Sequence, residues 1–342
     1  MTTTKRLPPE VYRCVRQAED ELRKAGIANE AVLLGVSGGG DSMALLEILG
    51  LLAPKLALTL HVACIDHALR PESVGEVALV ETAAARQGAA FATARLDPGR
   101  GDEDTLRKGR HAALETIAAE RGCRWILLAH TADDQIETIV FRFLRGAGFG
   151  GLAGMRPLRP PYARPLLGTR REDLRRLLTT RGVAWAEDPS NLSSRTARGR
   201  LRTEVLPVLA RNFGPGALDH LLETSIRWRA DEDLLERETT RVLAYASRPG
   251  VNSGVDLATS ALEDVHPAIL ARLLRAWLKR GLGAVPDLRH IAEIERWLAC
   301  GAEGGLDLPG CRLRAEDGRL RLEAATTTAS NGSGGQDEGG VG

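Results

Sequence analysis

Apolar runs and helix-like segments alternate along the first 145 residues of the chain. The runs with the length and composition of buried strands are residues 32–36, 58–65, 91–96 and 125–129. Segments in which apolar residues recur at helical spacing lie at residues 43–52, 72–87, 106–121 and 132–145. Strict alternation of strand and helix predicts βαβ units. The expected fold class is therefore α/β, a doubly wound and mostly parallel sheet with helices on both faces.

The pattern changes after residue 145. A Gly- and Pro-rich connector at 145–167 is long for a plain loop, which favours a functional segment or a lid. An Arg-rich helical segment follows to about residue 209, and the sequence NFGPGA at 212–217 indicates a boundary. Residues 218–297 are helical by pattern, and 306–323 predict a terminal hairpin. The predicted domains are 1–210, with the Arg-rich extension from about 156, a smaller and mainly helical region at 211–324, and a disordered tail at 325–342.

Composition narrows the class of protein. Hydrophobic residues make up 43% of the chain and charged residues 27%, as in folded globular proteins. No apolar run approaches the ~20 residues that span a bilayer, and the first residues lack the apolar core of a signal peptide. We therefore expect a cytosolic protein with no membrane partner. The five cysteines are scattered without a CxxC pair, so neither a zinc site nor a disulfide framework is predicted.

Charge is distributed unevenly along the chain. The whole chain carries a formal net charge of +1, yet residues 156–202 hold 12 Arg, four acidic residues and no Lys. A local excess of positive charge favours a phosphate-rich partner such as nucleic acid. The alternative is an ordinary solvated helix face, because Arg is abundant throughout this chain, where Lys and Arg together number 46.

The sequence SGGGDS at 37–42 lies between the first predicted strand and its helix. The glycines Gly38, Gly39 and Gly40 allow a sharp turn and a close approach to a ligand, and the helix offers unpaired N–H groups, so the loop is suited to a phosphate. The Walker pattern GxxxxGK[ST] is absent, and Met43 occupies the third glycine position of GxGxxG. The remaining pattern, SGGxDS, resembles the pyrophosphate-binding loop of N-type ATP pyrophosphatases. Its residues are Ser37, Gly38, Gly39, Gly40, Asp41 and Ser42.

In that resemblance the hydroxyls of Ser37 and Ser42 donate hydrogen bonds to phosphate oxygens of ATP. A carboxylate repels phosphate, so Asp41 is predicted to be a Mg²⁺ ligand.

A second group of polar residues begins the helix at 132–145. Thr131 is a predicted N-cap, and Asp133 and Asp134 lie in the favourable first turn. Glu137 adds a third carboxylate one turn later, and His130 precedes the group at a strand end. Capping alone accounts for some of these acids, but their density beside a phosphate loop favours a cation, either Mg²⁺ or a cationic substrate. The same helix has a predicted buried stripe of Ile136, Ile139, Val140, Phe143 and Leu144.

Polar residues also follow the other strands. Ser37, Asp66 and His130 each come just after a strand, and the carboxyl ends of parallel strands are where ligands bind. We therefore expect one ligand to contact all three.

Taken in order, the motifs resemble tRNA(Ile)-lysidine synthetase over about residues 30–210. They are SGGGDS at 37–42, DHALR at 66–70, E-x-x-x-R-x-x-R at 103–110, AHTADDQIET at 129–138, RGAGFGGLAGM at 145–155, RPLL at 164–167 and EDPSN at 187–191. The resemblance implies an adenine nucleotide alpha-hydrolase-like fold over 1–210 and a tRNA-binding role for 211–324. It also implies a ligase that adenylates the wobble cytidine of the minor isoleucine tRNA with the CAU anticodon. The side-chain amine of free L-lysine then displaces AMP.

The resemblance assigns roles to residues of this chain. ATP binding is implied for Ser37, Gly38, Gly39, Gly40, Asp41, Ser42, Asp66, His67 and His130. Catalytic roles are implied for Asp41, Asp133, Asp134 and Glu137, with Asp41 also holding Mg²⁺. Contacts to phosphate or tRNA are implied for Arg70, Arg107, Arg110, Arg145, Arg195, Arg198, Arg200 and Arg202. Two positions depart from the family pattern: His111 replaces a usual Tyr, and Gly199 replaces a usual Asn.

Three other functions are considered. A tRNA thiolation enzyme would commonly use paired cysteines, which are absent near the motifs. A ligase for small molecules, as in GMP or NAD synthesis, would not need the Arg-rich segment. A catalytically silent tRNA-binding protein would not need the complete loop and the clustered acids. A homodimer is compatible with the sequence.

Overall fold

The computed structural model describes residues 8–66, 73–96, 103–187, 196–214, 216–250, 254–283 and 287–324. The chain divides into two compact units, Met1–Arg229 and Ala230–Gly342. This division falls inside a long helix, Ala217–Ala246, whereas the sequence pattern indicates a boundary near residue 210.

The first unit is built around a six-stranded sheet. Its strands are β1 Ala31–Gly35, β2 Thr59–Asp66, β3 Ala90–Arg95, β4 Trp125–Leu128, β5 Leu158–Arg159 and β6 Tyr162–Ala163. Their order is β3-β2-β1-β4-β6-β5, and only the β5–β6 pair is antiparallel. The predicted α/β class with a mostly parallel sheet is confirmed.

Nine helices of the described residues belong entirely to the first unit. They are α1 Pro9–Lys24, α2 Gly40–Leu56, α3 Ser73–Arg86, α4 Glu103–Glu120, α5 Ala132–Leu144, α6 Phe149–Leu152, α7 Arg171–Arg181, α8 Ala197–Arg200 and α9 Leu206–Phe213. A π-helical turn, Leu201–Val205, joins α8 to α9. The long helix Ala217–Ala246 is α10.

Both faces of the sheet are buried at its central strands β1, β2 and β4, which explains why these strands are nearly continuous apolar runs. Adjacent strand residues point to opposite faces. Leu34 accordingly packs in the core that includes α2 and α7, whereas Leu33 packs in the core that includes Leu114 of α4. Strand β1 lies between β2 and β4, and the strand order runs outward from β1 on both sides. This reversal of strand order leaves a crevice at the carboxyl end of β1.

Helix α5 differs from its predicted burial. Ile136 and Ile139 are buried, but Phe143 is 64% exposed and Leu144 is 67% exposed. The apolar residues that cover this side of α5, Leu201 and Leu206, form a cluster with Ile136. The prediction that Phe143 and Leu144 are buried is wrong, because the last turn of α5 extends beyond this cover.

The second unit combines helices with a small antiparallel sheet. Its strands are β7 Ser247–Pro249, β8 Val255–Ala258, β9 Gly305–Leu308, β10 Cys311–Glu316 and β11 Arg319–Ala324, in the order β7-β8-β11-β10-β9. Helices α11 Pro267–Leu282 and α12 Leu288–Ala299 contribute to the same core, which contains Trp277 and Leu313. The terminal hairpin is confirmed as β10–β11.

Strands β7 and β8 lie within residues 218–297, which the sequence pattern predicts to be helical, and correct that prediction. They are only three and four residues long, too short for a periodicity to be recognised. Strand β8 pairs with β11 through Ala258 opposite Arg319, so tertiary pairing fixes it as a strand. None of the described helices combines the length and the apolarity needed to cross a membrane.

Candidate active site

A cavity of about 740 Å³ opens at the carboxyl ends of β1, β2 and β4. This volume lies within the range of ligand-binding clefts. Ala63 and Ile65 of β2 and Leu128 of β4 form apolar parts of its wall, and the loop between β1 and α2 forms a polar part. The cavity therefore lies in the crevice that the strand order creates.

The loop between β1 and α2 is held by its two serines. The Ser37 N–H donates to Ser42 Oγ at 3.1 Å, the two hydroxyl oxygens are 3.3 Å apart, and Ser42 Oγ donates to Gly39 O at 2.9 Å. Gly38 has φ +85°, a conformation that other residues rarely adopt, and a Cβ there would lie 3.4 Å from the Cβ of Glu76. Helix α2 begins at Gly40, so its free N–H groups face the cavity side of the loop.

Residues 185–187 pack against this loop and line the cavity beside it. The Ala186 N–H donates to Gly38 O at 2.9 Å, and Gly39 and Ala186 form a parallel bridge. A Cβ at Gly40 would lie 3.4 Å from Cδ1 of Trp185, so the third glycine allows the indole to approach the helix. Trp185 also lines the cavity. The sequence pattern did not single out Trp185, because a lone aromatic residue has no periodic signal.

Arg171 lies at the centre of the predicted acids. Its Nε donates to Asp41 Oδ2 at 2.8 Å, and its Nη2 donates to Asp134 Oδ1 at 2.8 Å. Its Nη1 lies 4.0 Å from Glu137 Oε1. One guanidinium group therefore joins the phosphate loop to the acids of α5. The cation that the acid cluster requires is, in this structure, an arginine of the chain itself.

Glu137 is buried and paired with a second arginine. Arg202 donates from Nε to Glu137 Oε1 at 2.6 Å and from Nη2 to Oε2 at 2.8 Å, a bidentate pair. Arg202 also lines the cavity. It therefore lies in the acid cluster, whereas the sequence pattern grouped it with arginines that contact tRNA phosphates.

Asp133 and Asp134 face different groups. Asp134 Oδ2 accepts from the N–H and the hydroxyl of Thr131, at 2.8 and 2.9 Å, which completes a capping box for α5 and confirms the Thr131 cap. Asp133 Oδ2 accepts from the Arg171 N–H at 2.7 Å, and Oδ1 accepts from Arg170 Nη1 at 3.3 Å. Asp133 thus caps α7, and the described lining of the cavity includes Asp134 but not Asp133.

Burial and neighbouring charges have opposite effects on the pKa values of this cluster. Burial raises the pKa of Asp41 above its usual value, although Arg171 favours the charged carboxylate. Burial also disfavours the charge on Arg171, but Asp134, Asp41 and Glu137 outweigh it and raise the pKa of the guanidinium. Arg171 therefore stays charged, and the cluster depends on it to keep Asp41 ionised.

His130 lines the cavity beside the acids and is neutral near pH 7. Burial, with a contribution from Arg164, lowers the pKa of His130 to about 4. Its Nδ1 accepts a hydrogen bond from Arg164 Nε at 3.2 Å, so the proton of the neutral ring lies on Nε2. Arg164 was not assigned a site role from the sequence, although it begins the RPLL motif.

Two family models match the chain. One described as the PP-loop domain matches residues 12–209, and one described as the TilS substrate binding domain matches residues 257–321. A tRNA(Ile)-lysidine synthase of Mycolicibacterium paratuberculosis is 35% identical over 323 residues, 89% of this chain and 97% of the relative. One of Salinispora arenicola is 37% identical over 327 residues, 91% of this chain and 95% of the relative. The chain belongs to the tRNA(Ile)-lysidine synthase family.

A solved structure outside this family has the same fold. The U34-tRNA thiolase NcsA from Methanococcus maripaludis, with its [4Fe-4S] cluster, aligns with a TM-score of 0.54 and 16% identity. The alignment covers 64% of this chain and 78% of the thiolase. At this identity the similarity supports only the fold, whereas the synthase relatives cover nearly the whole chain.

Arg110 and His111 are neighbours at the position where this chain departs from the family motif. Arg110 lines the cavity, and its buried Nε has no hydrogen-bond partner among the described residues. His111, at the position where the family usually has Tyr, packs edge-on against Tyr162 with ring centroids 4.6 Å apart. Burial and the nearby arginines lower the pKa of His111, so it serves here as a neutral aromatic ring.

The remaining predicted residues lie outside the cavity or outside the described residues. Asp66 ends β2 with its Oδ2 4.0 Å from Arg95 Nε, and Arg107 is exposed on α4. Arg145, Arg198 and Arg200 are exposed beyond the acid cluster. His67, Arg70 and Arg195 lie outside the described residues.

Arg171 is the main site residue that the sequence analysis missed. A detectable signal was present, since Arg170 and Arg171 begin a helix, where the helix dipole disfavours positive charge. A pair of arginines at that position therefore indicates carboxylates from another part of the chain.

Proposed function

We propose that this chain joins free L-lysine to the wobble cytidine of the isoleucine tRNA with the CAU anticodon, using ATP and releasing AMP and pyrophosphate. The observation that carries the proposal is that the phosphate loop and the carboxylate of Asp134 face one cavity. A nucleotide, a base and a cationic amine can therefore meet there. Family membership over nearly the whole chain supports the same reaction.

The first step is adenylation of the base. The cytosine carbonyl oxygen attacks the α-phosphorus of ATP, and the bond between that phosphorus and pyrophosphate breaks. The hydroxyls of Ser37 and Ser42 and the N-terminus of α2 bind the departing pyrophosphate. Arg110 adds positive charge to the same cavity, and His130 donates from Nε2 without adding charge.

The second step replaces AMP with lysine. The side-chain amine attacks the activated carbon of the base, a C–N bond forms, and AMP leaves with the former carbonyl oxygen. An ammonium of pKa ~10.4 must first lose a proton. Asp134 faces the cavity, and the buried Glu137, paired with Arg202, lies one turn further along α5. Asp134 binds the ammonium and accepts its proton, and Glu137 adds negative charge beside it.

Mg²⁺ is part of the proposal and is tested against the residues present. The described residues contain no group of three or more His, Cys, Asp or Glu side chains arranged to hold a metal. Mg²⁺ typically binds one or two carboxylates together with substrate phosphates, so Asp41, with Asp134 nearby, fits this mode. When bound, the ion would neutralise phosphate charge.

The thiolation alternative is not favoured by the cysteines. All five are free thiols, and four of them are buried. Cys64, in β2, is the one whose strand borders the cavity, and burial raises its pKa to about 11. A thiol with this pKa is a poor nucleophile at neutral pH.

L-lysine as the second substrate, Mg²⁺ and a cytosolic location are parts of the proposed function.

One assay tests the function. The protein is incubated with ATP, Mg²⁺, labelled lysine and total tRNA, and we expect label in tRNA together with equal amounts of AMP and pyrophosphate. A reaction without tRNA tests whether adenylation needs the RNA, and a reaction without lysine tests whether the release of AMP needs the amine. ADP as the nucleotide product, or no label in tRNA while AMP forms, would contradict the proposal.

The three acids of α5 should differ in their effects. Glu137→Gln should raise the lysine KM about tenfold or more, because it removes a charge next to the ammonium site. Asp133→Asn should change the lysine KM by less than about threefold but lower the free energy of unfolding by about 1 kcal/mol, because it weakens a helix cap. Initial rates at a series of lysine concentrations give the lysine KM, and urea unfolding gives the free energy of unfolding. Equal lysine kinetics for the two variants would contradict this assignment.

A further inference from the structure

We infer that the indole N–H of Trp185 donates a hydrogen bond to the pyrophosphate part of ATP, bound at the loop of residues 37–42. This inference rests on the proposed function and deepens it, because it adds a phosphate-binding residue to the same site. Trp185 lies in the segment between α7 and α8 and lines the cavity. It belongs to none of the motifs that carry the family resemblance.

Trp185 is held against the phosphate loop by its own neighbours in the chain. The N–H of Ala186 donates to Gly38 O at 2.9 Å, and Ala186 pairs with Gly39 in a parallel bridge. The side chain of Trp185 is half-buried and packs against the core cluster that contains Val183. The backbone next to Trp185 is therefore fixed to the loop, and its ring is supported by the core.

The indole edge that carries the N–H is the edge nearest to the start of α2. A Cβ added at Gly40 would lie 3.4 Å from Cδ1 and 3.6 Å from Nε1 of Trp185. Gly40 is the first residue of α2, and the N–H groups of a first helical turn have no partner within the helix. The indole N–H is thus one more donor beside a row of free donors, and such an arrangement favours an anionic ligand.

Two carbonyl groups of the loop already have donors from the chain. Gly38 O accepts from the N–H of Ala186, and Gly39 O accepts from Ser42 Oγ at 2.9 Å. Across the part of the chain that the structure describes, Trp185 Nε1 donates no hydrogen bond. A phosphate oxygen of a nucleotide at the loop supplies the acceptor, and a bond to a charged acceptor is stronger than one between neutral groups.

The position of the indole also selects which phosphates it contacts. In the proposed reaction the N-terminus of α2 binds the departing pyrophosphate, so a donor beside Gly40 contacts that group. The α-phosphate stays on the base and later leaves as AMP. A donor to the leaving group stabilises the negative charge that develops there. Trp185 should therefore matter for the binding of ATP and pyrophosphate but not for the binding of AMP.

Titration calorimetry with inorganic pyrophosphate, ATP and AMP tests this contact, in Mg²⁺ buffer without tRNA or lysine. Trp185→Phe keeps an aromatic ring but loses the N–H, so the affinities for pyrophosphate and ATP should fall about tenfold or more, and that for AMP by less than about twofold. The matched control is Trp228→Phe, since Trp228 is also a half-buried residue of the first unit but is outside the described lining of the cavity. It should bind all three compounds like the parent.

An isosteric replacement removes the N–H alone. Benzothienylalanine at position 185 keeps the shape of tryptophan and replaces the N–H with sulfur, so it should weaken pyrophosphate binding as much as Trp185→Phe does. Parent affinity for pyrophosphate in this protein would overturn the hydrogen bond. Equal weakening of pyrophosphate, ATP and AMP would overturn it too, because the ring would then order the whole site.

The same titrations separate this contact from the proposed function. If the isostere weakens pyrophosphate binding but the parent forms no lysidine, the proposed function fails and the contact stands. If the parent forms lysidine and the isostere binds pyrophosphate like the parent, the contact fails and the function stands.

Discussion

Replacing Arg171 with methionine should reduce pyrophosphate release at least ~100-fold, because Arg171 positions carboxylates on two sides of the cavity. Its guanidinium bonds Asp41 of the phosphate loop and Asp134 of α5, both at 2.8 Å. Methionine keeps an unbranched apolar stem but forms neither bond. The effect should be in kcat rather than in the ATP KM if Arg171 positions the reacting groups. Arg171→Lys should recover part of the rate, since it keeps the charge but not the fork.

The same substitution should destabilise the first unit in a pH-dependent way. Removing one partner from a buried pair leaves an uncompensated charge, and with Arg171 23% exposed the expected loss is about 2 kcal/mol. Without Arg171 the pKa of Asp41, already raised by burial, rises further. An acid whose pKa is higher in the folded state loses stability as pH rises. The deficit should therefore be small near pH 4 and larger at pH 7.5.

A matched variant separates this effect from a general change on α7. Arg176→Met lies on the same helix, is 54% exposed and pairs with Glu172 one turn away. It should leave pyrophosphate release unchanged and alter stability by less than about 0.5 kcal/mol. Urea unfolding followed by tryptophan fluorescence at two pH values measures the difference. Equal rates and equal pH dependence for the Arg171 and Arg176 variants would show that Arg171 does not position the acids.

The sheet could be predicted because its signals are local. Each strand from β1 to β4 is a short apolar run, and each is followed by a helix of clear period. The phosphate loop was predictable for the same reason, since six consecutive residues carry its pattern. Strands β5 and β6 were not predicted, because two residues each give no periodicity. Their place at the sheet edge comes from pairing of β6 with β4 and of β5 with β6, which is a tertiary effect.

The partners of the acidic side chains could not be predicted from local spacing. Spacing alone brought Asp133, Asp134 and Glu137 together on α5, and the structure agrees that they are neighbours. It could not show that Asp133 caps α7, because the partner, Arg171, is 38 residues away in sequence. Nor could it show that Arg202 turns inward to Glu137 while Arg198 lies over Phe141. Counting arginines gives the charge of a segment but not the direction in which each side chain points.

Asp41→Asn should lower pyrophosphate release by roughly 100- to 1000-fold and raise the Mg²⁺ concentration that half-saturates the reaction. Asp41 lies in the first turn of α2, beside the phosphate loop, and lines the cavity. Asparagine keeps the size and a carbonyl oxygen but loses the charge that would attract the ion. Binding of tRNA should stay close to that of the parent, because Asp41 is not among the exposed basic residues.

The Mg²⁺ titration distinguishes two ways in which Asp41 could act. If Asp41 only holds Arg171, the variant should be slow at every Mg²⁺ concentration with an unchanged half-saturation point. If it holds the ion, excess Mg²⁺ should restore part of the rate through the remaining carboxylate of Asp134. Asp173→Asn is the matched control, since Asp173 also lies in a first helical turn, that of α7, but outside the cavity. A parent-like Mg²⁺ dependence in Asp41→Asn would overturn the metal assignment and leave positioning of Arg171 as its role.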